Sequence, residues 1–245
     1  MFFMQHQTLI ESQKDAHTEQ ALQHVCEQFC ADVSFEYYLF AICKITSLSA
    51  PEITTITNYP NEWMQYYFEQ KLQRFDPVVR YCFEKISPIR WCNLQHMPEY
   101  SSPEGDAIFK KAAELGLAYG ISIPLKAHTG EICIFSLATA NGVEIDRRFN
   151  DALSSAQTFA TELFNSLTRI NLTPSNKKEI LTARELECIF WACEGKTTWE
   201  MSQILDIAER TVIFHLTSAT KKLGAVNRQH AVAKAITSGL IKPML

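Results

Sequence analysis

Two groups of side chains in this 245-residue chain have types and spacings that could do chemistry. The first lies in the last third. Lys196, Thr197 and Thr198 open one short periodic segment, and Arg210, Thr211, His215, Lys221 and Lys222 are spread along the next. Cations and hydroxyls at a helix start grip phosphate, and a following helix with polar residues on its outer face reads base edges, so the chemistry is binding of double-stranded DNA. Plain alternatives exist for single residues: His215 can pack beside Phe214, and Lys221 and Lys222 suit a solvated helix end. The second is an aromatic stretch around Asp76, with Trp63, Tyr66, Tyr67 and Phe68 before it. On residue type alone its aromatics read as core, and Asp76, followed by Pro77, as a helix cap. A buried carboxylate is costly unless a donor meets it, which makes Asp76 the residue to explain.

The elements that must position the DNA group are all helical. Thr182 with Glu185 forms a capping box for a helix running to Cys193 and stopped by Gly195. Further helices are expected over 197–205, 210–223 and 229–238, the last two ended by Gly224 and Gly239. Two short helices joined by the tight turn at 206–209 make a helix-turn-helix. Met201, Ile204, Leu205, Ile207, Val212, Leu216 and Leu223 are its expected core, with Arg210, Thr211, Ile213, His215, Thr217 and Ser218 on the outer face or groove edge.

The second group lies in a region of mixed signals. A helical face is expected over 19–29, strands over 37–45 and 53–57, and an aromatic helix over 62–72 capped by Asn61. A short strand follows at 89–91, a helix from Pro103 ended by Gly116, strands at 120–125 and 132–137 joined by the His128-Thr-Gly130 turn, and a long amphipathic helix at 148–170. Strands that follow one another through short turns predict an antiparallel sheet with helices on both faces. The expected class is therefore α+β: an N-terminal α-β-α sandwich with an antiparallel sheet, and a C-terminal all-α four-helix unit. The boundaries read as 1–170, a polar linker at 171–179, and 180–245.

The formal net charge is −4, which argues against a general nucleic-acid coat. Residues 180–245 nevertheless hold eight Lys/Arg against six Asp/Glu, leaving fifteen against twenty-one in the rest. The mildly basic segment coincides with the expected DNA unit. Eight cysteines show neither a C-x-x-C pair nor zinc spacing, and several sit in apolar runs, so they read as reduced core residues, with redox sensing a residual reading for Cys26/Cys30 and Cys82/Cys92. No run reaches the roughly 18 apolar residues of a membrane span, and the first residues lack a secretory pattern, so no membrane association and a cytoplasmic location are expected. There is no Gly-rich phosphate loop, nucleophile elbow or metal-binding His pair, which argues against an enzyme.

Two stretches resemble known families. The run Leu181-Thr-Ala-Arg-Glu185, Gly195-Lys-Thr-Thr-Trp-Glu200, Ile204-Leu-Asp-Ile-Ala-Glu-Arg-Thr-Val212 and Lys222-Leu-Gly-Ala-Val-Asn227 resembles the LuxR-type helix-turn-helix signature over about sixty residues. Ile189 departs from the usual Leu, Ile213 from a position often basic, and Ser218 from a usual Asn. Residues Asn58-Tyr59, Trp63, Tyr67, Phe75-Asp76-Pro77, Trp91 and Gly120 resemble the autoinducer-binding domain of quorum-sensing LuxR regulators, with Trp63 four residues before Tyr67 and thirteen before Asp76, and Asp76 fifteen before Trp91. Other proteins with this DNA unit carry a phosphorylated receiver domain; here the strand at 37–45 is followed by Thr46-Ser-Leu-Ser with no carboxylate, and a receiver is rejected.

The resemblance implies a transcriptional regulator that senses an N-acyl homoserine lactone, without a metal or other cofactor, and binds a pseudo-palindromic operator as a homodimer. It implies that Asp76 accepts the ligand amide N–H, Trp63 donates to the lactone carbonyl, Tyr59 and Ser136 donate to the acyl carbonyl, and Tyr67 and Trp91 form walls. The helices at 148–170 and 229–238 are candidate dimer elements, although a buried face within each unit explains both as well. A constitutive regulator whose first unit binds another small molecule or a protein is the alternative.

Overall fold

The computed structural model of the chain describes residues 2–45, 47, 50–127, 130–171 and 181–241. The chain divides into two compact units, one built on a sheet and one on the last helices. The expected linker lies, beyond Asn171, outside the described residues, as do His128 and Thr129 of the expected turn.

The first unit begins with α1 (Phe2–Asp15) and α2 (Glu19–Asp32), followed by β1 (Tyr37–Lys44) and β2 (Glu52–Thr57). Then come α3 (Asn61–Glu69), a 3-10 turn at Leu72–Arg74, α4 (Pro77–Glu84), β3 (Ile89–Arg90), α5 (Trp91–Gln95) and α6 (Pro103–Glu114). The hairpin β4 (Tyr119–Lys126) and β5 (Ile132–Thr139) and the long α7 (Ile145–Asn171) complete it. The sheet order is β2-β1-β5-β4-β3, and the pairs β1/β5, β4/β5 and β3/β4 are antiparallel, although of these only β4 and β5 are consecutive strands joined by a short connection.

Strand alternation sends side chains to two different cores. Tyr38, Phe40, Ile121, Ile123, Cys133, Phe135 and Leu137 pack with α2 and α7, where Phe29 stacks on Phe159 at 3.9 Å. The apolar stripe of α7, from Phe149 through Phe159 to Leu167, is buried in this core, so the face that made it a candidate dimer element is occupied within the unit. The opposite sheet face carries Leu39, Ile134 and Ala138 and meets the elements between β2 and β4. This is the α-β-α sandwich, with two unlike cores sharing one sheet.

Several local expectations are corrected. Pro60, not Asn61, occupies the N-cap of α3, and Asn61 is its first residue. α3 stops at Glu69 because Lys71 adopts φ +53°, a left-handed conformation no helix continues through. α1 had no counterpart in the periodicity. Its C-terminal end is tied to α7: Ser166 Oγ donates to the Gln13 carbonyl at 2.9 Å, and the Arg169 guanidinium donates to the Gln13 and Ala16 carbonyls at 3.1 Å.

The second unit holds α8 (Ala183–Cys193), α9 (Thr198–Leu205), α10 (Glu209–Lys222) and α11 (Arg228–Thr237). Capping boxes start α8 at Thr182/Glu185 and α9 at Thr197/Glu200. Asp206, at φ +51°, ends α9 and sets the tight turn into α10. The core is Cys188, Ile189, Met201, Val212, Leu216, Ala219, Ala231 and Ala235. Ile204, expected inside, is 43% exposed and lies outside the core that α8 and α11 share with α9 and α10.

Candidate functional site

The second sheet face builds one candidate site. Asp76 caps α4: its Oδ1 accepts from the Val78 N–H at 2.8 Å. Its Oδ2 accepts from the Tyr67 hydroxyl at 2.7 Å, across from α3. The cap reading of Asp76 is therefore true but incomplete, since one oxygen is turned away from the helix it caps. Burial pushes the Asp76 carboxyl above its usual range, against the hydrogen bonds from Tyr67 and the Val78 and Val79 backbone that favour its charge. Burial, with the Asp76 charge adding to it, pushes the Tyr67 phenol well up. A carboxylate has about four acceptor sites, so these bonds leave capacity for a further donor.

Tyr59 and Trp63 are buried beside this pair, with the rings of Trp63 and Tyr67 5.5 Å apart. The Tyr59 hydroxyl is buried and makes no well-formed hydrogen bond, with Ser136 standing within reach of it. Burial pushes its pKa well up, Asp76 raises it further, and Ser136 stands close enough to act the other way. Ser136 is engaged elsewhere: its hydroxyl pairs with Ser122 Oγ at 2.7 Å, the two being register partners on β5 and β4. Ser122 also accepts the Trp91 indole N–H at 2.9 Å. That ring lies against β4 only because residue 120 is glycine; a Cβ there would stand 2.5 Å from the indole.

All six predicted residues thus lie around the second core. Two residues carry more than a wall or a cap: Tyr67 holds the carboxylate, and Trp91 is fixed through Ser122. Ser122 was missed by the sequence reading. The pairing of 120–125 with 132–137 would have placed it opposite Ser136.

The candidate DNA interface lies on α9 and α10. Thr198 begins α9, while the Thr197 hydroxyl is committed to its capping box, accepting from Glu200 N–H at 3.2 Å and donating to Glu200 Oε2 at 2.9 Å. Lys196 Nζ lies 4.0 Å from Glu200, and its carbonyl accepts from the Arg228 guanidinium. Arg210 and Lys221 are exposed, and His215 sets its ring edge against Phe214 at 5.6 Å. Lys222 and Ser218 turn inward instead: both donate to the buried Glu185, at 2.8 and 2.6 Å. Burial opposes charge on Glu185, but Lys222, Ser218 and Thr182 outweigh it and hold its pKa at about 2. Lys222 and Ser218 therefore join α10 to α8 rather than facing a groove. Sequence spacing showed the Thr182–Glu185 cap but not this second use of Glu185, which depends on how the helices cross.

The two arrangements define a class: a regulator with a ligand-sensing sheet unit and a helix-turn-helix output unit. Residues 18–167 match the family model of the autoinducer binding domain, and residues 179–235 that of bacterial regulatory proteins, luxR family. The chain belongs to this family of quorum-sensing transcriptional regulators, and its relatives are regulators rather than enzymes. It is 34% identical to the transcriptional activator protein VanR of Vibrio anguillarum over 97% of this chain and 98% of that one. It is also 34% identical to the transcriptional activator protein LuxR of Aliivibrio fischeri, over 95% and 93%. Among solved structures, Escherichia coli SdiA covers 99% of this chain and 100% of its own at a TM-score of 0.81 and 23% identity. SdiA in complex with octanoyl-rac-glycerol covers 100% and 98% at a TM-score of 0.84 and 25% identity.

Proposed function

We propose that the chain is a ligand-gated, dimeric and cytoplasmic transcription factor whose second core takes an N-acyl homoserine lactone. The observation that carries this reading is the buried Tyr59 hydroxyl, without a well-formed hydrogen bond, beside the Asp76–Tyr67 pair. A buried hydroxyl without a partner costs about 1–3 kcal/mol, and a ligand carbonyl supplies the missing acceptor. Asp76 accepts the ligand amide N–H, Trp63 donates its indole N–H to the lactone carbonyl, and Ser136 joins Tyr59 at the acyl carbonyl. Tyr67 orients Asp76, and Trp91 walls the acyl chain. The bound dimer sets two copies of α10 on a pseudo-palindrome, with Lys196, Thr198, Arg210, Thr211, His215 and Lys221 as contacts and Thr197 and Lys222 acting through the fold. In α11, Ile236 is 54% exposed and suits the dimer contact between output units.

Production of the protein with and without N-octanoyl homoserine lactone, scored by soluble yield and by gel shift on a selected duplex, tests the reading. Ligand is expected to raise both. Asn caps helices as well as Asp does, so Asp76→Asn keeps α4 started while removing the charge, and it is expected to abolish the response. Equal yield and equal DNA binding without ligand would leave a constitutive regulator. A second reading rests on the SdiA complex: an acylglycerol also offers a carbonyl, and its hydroxyls can donate to Asp76. Mass spectrometry of a lipophilic extract of the purified protein separates the two.

A further inference from the structure

The outward face of α10 is more apolar than a DNA-reading helix requires. At 3.6 residues per turn, Arg210, Ile213, Phe214, Thr217 and Lys221 fall on a stripe roughly 100° wide, opposite the buried Val212, Leu216 and Ala219. Ile213 is 52% and Phe214 67% exposed, one at each edge of that stripe, in a unit that also exposes Trp199, Val226 and Ile236. Scattered surface apolar residues are ordinary; two that flank the reading stripe of a recognition helix are informative.

The polar residue between the stripe's cationic ends offers no proton. Thr217 Oγ1 donates its single proton to the Ile213 carbonyl at 2.8 Å, leaving only acceptor capacity and a methyl group. Ser218 and Lys222, which flank the stripe, give theirs to Glu185. Among the described residues of this stripe, donors therefore stand only at its two ends, Arg210 and Lys221. In the major groove three of the four bases present only hydrogen-bonding edges here, and thymine alone adds an apolar group, its C5 methyl. Against Ile213 and Phe214 any other edge would lose water hydrogen bonds and gain none.

We propose that thymine methyl groups inside each operator half-site are read by Ile213 and Phe214, beside the contacts made by Arg210, Thr211, His215 and Lys221. The inference rests on the DNA-binding reading of α10 and adds what that helix prefers. The full chain, produced with N-octanoyl homoserine lactone in the culture, is used to select duplexes from a randomised library. In the best selected duplex each thymine is then replaced singly by deoxyuridine, which removes the methyl and keeps the hydrogen-bonding edge. Binding is expected to fall about fourfold per contacted methyl, at adjacent positions inside each half-site. Ile213→Ala and Phe214→Ala, both at exposed positions and checked for an unchanged thermal melt, are expected to bind the thymine duplex more weakly and to lose the thymine–uracil difference. Uracil duplexes bound within twofold at every position would overturn the proposal, as would variants that keep the full difference. Failure to select any duplex would overturn the DNA-binding reading itself, and this inference with it.

Discussion

Replacing Tyr59 by Phe should make the free protein more stable and the sensor worse. The hydroxyl is buried without a well-formed hydrogen bond, and Ser136, which stands beside it, is bonded to Ser122. Removing an unsatisfied buried hydroxyl recovers about 1–2 kcal/mol of desolvation, and the ring keeps its edge contact with Tyr37 at 6.3 Å. For a unit of this size that raises Tm by roughly 2–4 °C per kcal/mol. On the proposed reading the ligand-bound state loses a hydrogen bond and leaves a carbonyl short of a donor, so affinity for N-octanoyl homoserine lactone should fall about 5- to 50-fold. The ligand-induced rise in Tm then shrinks from both ends. Scanning fluorimetry across a lactone titration, with soluble yield in lactone-free culture as a second readout, measures both quantities. Ser136→Ala is the contrast: it breaks the pair with Ser122 and should lower stability by about 1 kcal/mol. A Tyr59→Phe protein that melts lower without ligand, or binds the lactone as tightly as the parent, would refute the assignment of the hydroxyl as a ligand donor.

Other outcomes follow from the same contacts. Lys222→Met should destabilise the output unit by about 2 kcal/mol, because it leaves the buried Glu185 carboxylate without its cation; the bonds from Ser218 and Thr182 and the lysine's 21% exposure keep the cost below that of a fully buried pair. Lys221→Met should leave the melt unchanged and lower the salt dependence of DNA binding by about one unit of slope. With the Glu185 pKa held at about 2, well below its ordinary value, its contribution is complete at neutral pH and disappears as pH falls from about 4.5 toward 2; in Glu185→Gln an acid titration followed by circular dichroism should lack that loss. Gly120→Ala should push the Trp91 ring out of place, break its bond to Ser122, and cost about 1–3 kcal/mol, seen as lower soluble yield even with lactone present.

How much of this was legible in the sequence depended on whether a feature was local. Period-2 runs, glycine stops and the Thr182–Glu185 cap are written in neighbouring residues, and they gave the antiparallel sandwich and the four-helix unit. α1 was not legible because what fastens its C-terminal end is a set of backbone carbonyls accepting from Ser166 and Arg169, some 150 residues away. The break after α3 was hidden in one left-handed Lys71, a conformation the residue type does not announce. Ile204 carries the apolar signal of a core residue, but burial there depends on how α8 and α11 divide the interior. At the candidate site residue types picked out the right positions, while the division of labour among them was set by tertiary hydrogen bonds. Tyr67 rather than the helix alone holds Asp76, and Ser122, silent in the pattern, fixes Trp91.

On the proposed reading, the coupling of ligand to fold rests on the two faces of the sheet. On one side Phe29, Phe40, Phe135 and Phe159 pack a core dominated by apolar side chains, with the buried, unpartnered Gln13 amide of α1 beside α7. On the other, an orphan hydroxyl and a carboxylate pushed toward its neutral form sit among Tyr59, Trp63 and Trp91, and each carries a cost of desolvation. On the proposed reading, a ligand that meets both removes the penalty, and one that binds only the folded form adds about 2.7 kcal/mol at a hundred times its Kd. The same arrangement separates affinity from selectivity. Apolar contact with the chain supplies binding in proportion to its length, whereas polar groups left unpaired by the wrong head group reject it far more strongly than a missing methylene would. An acyl chain of suitable length without its carbonyl would fill the apolar space and leave Tyr59 as orphaned as before, so it should bind weakly and stabilise little.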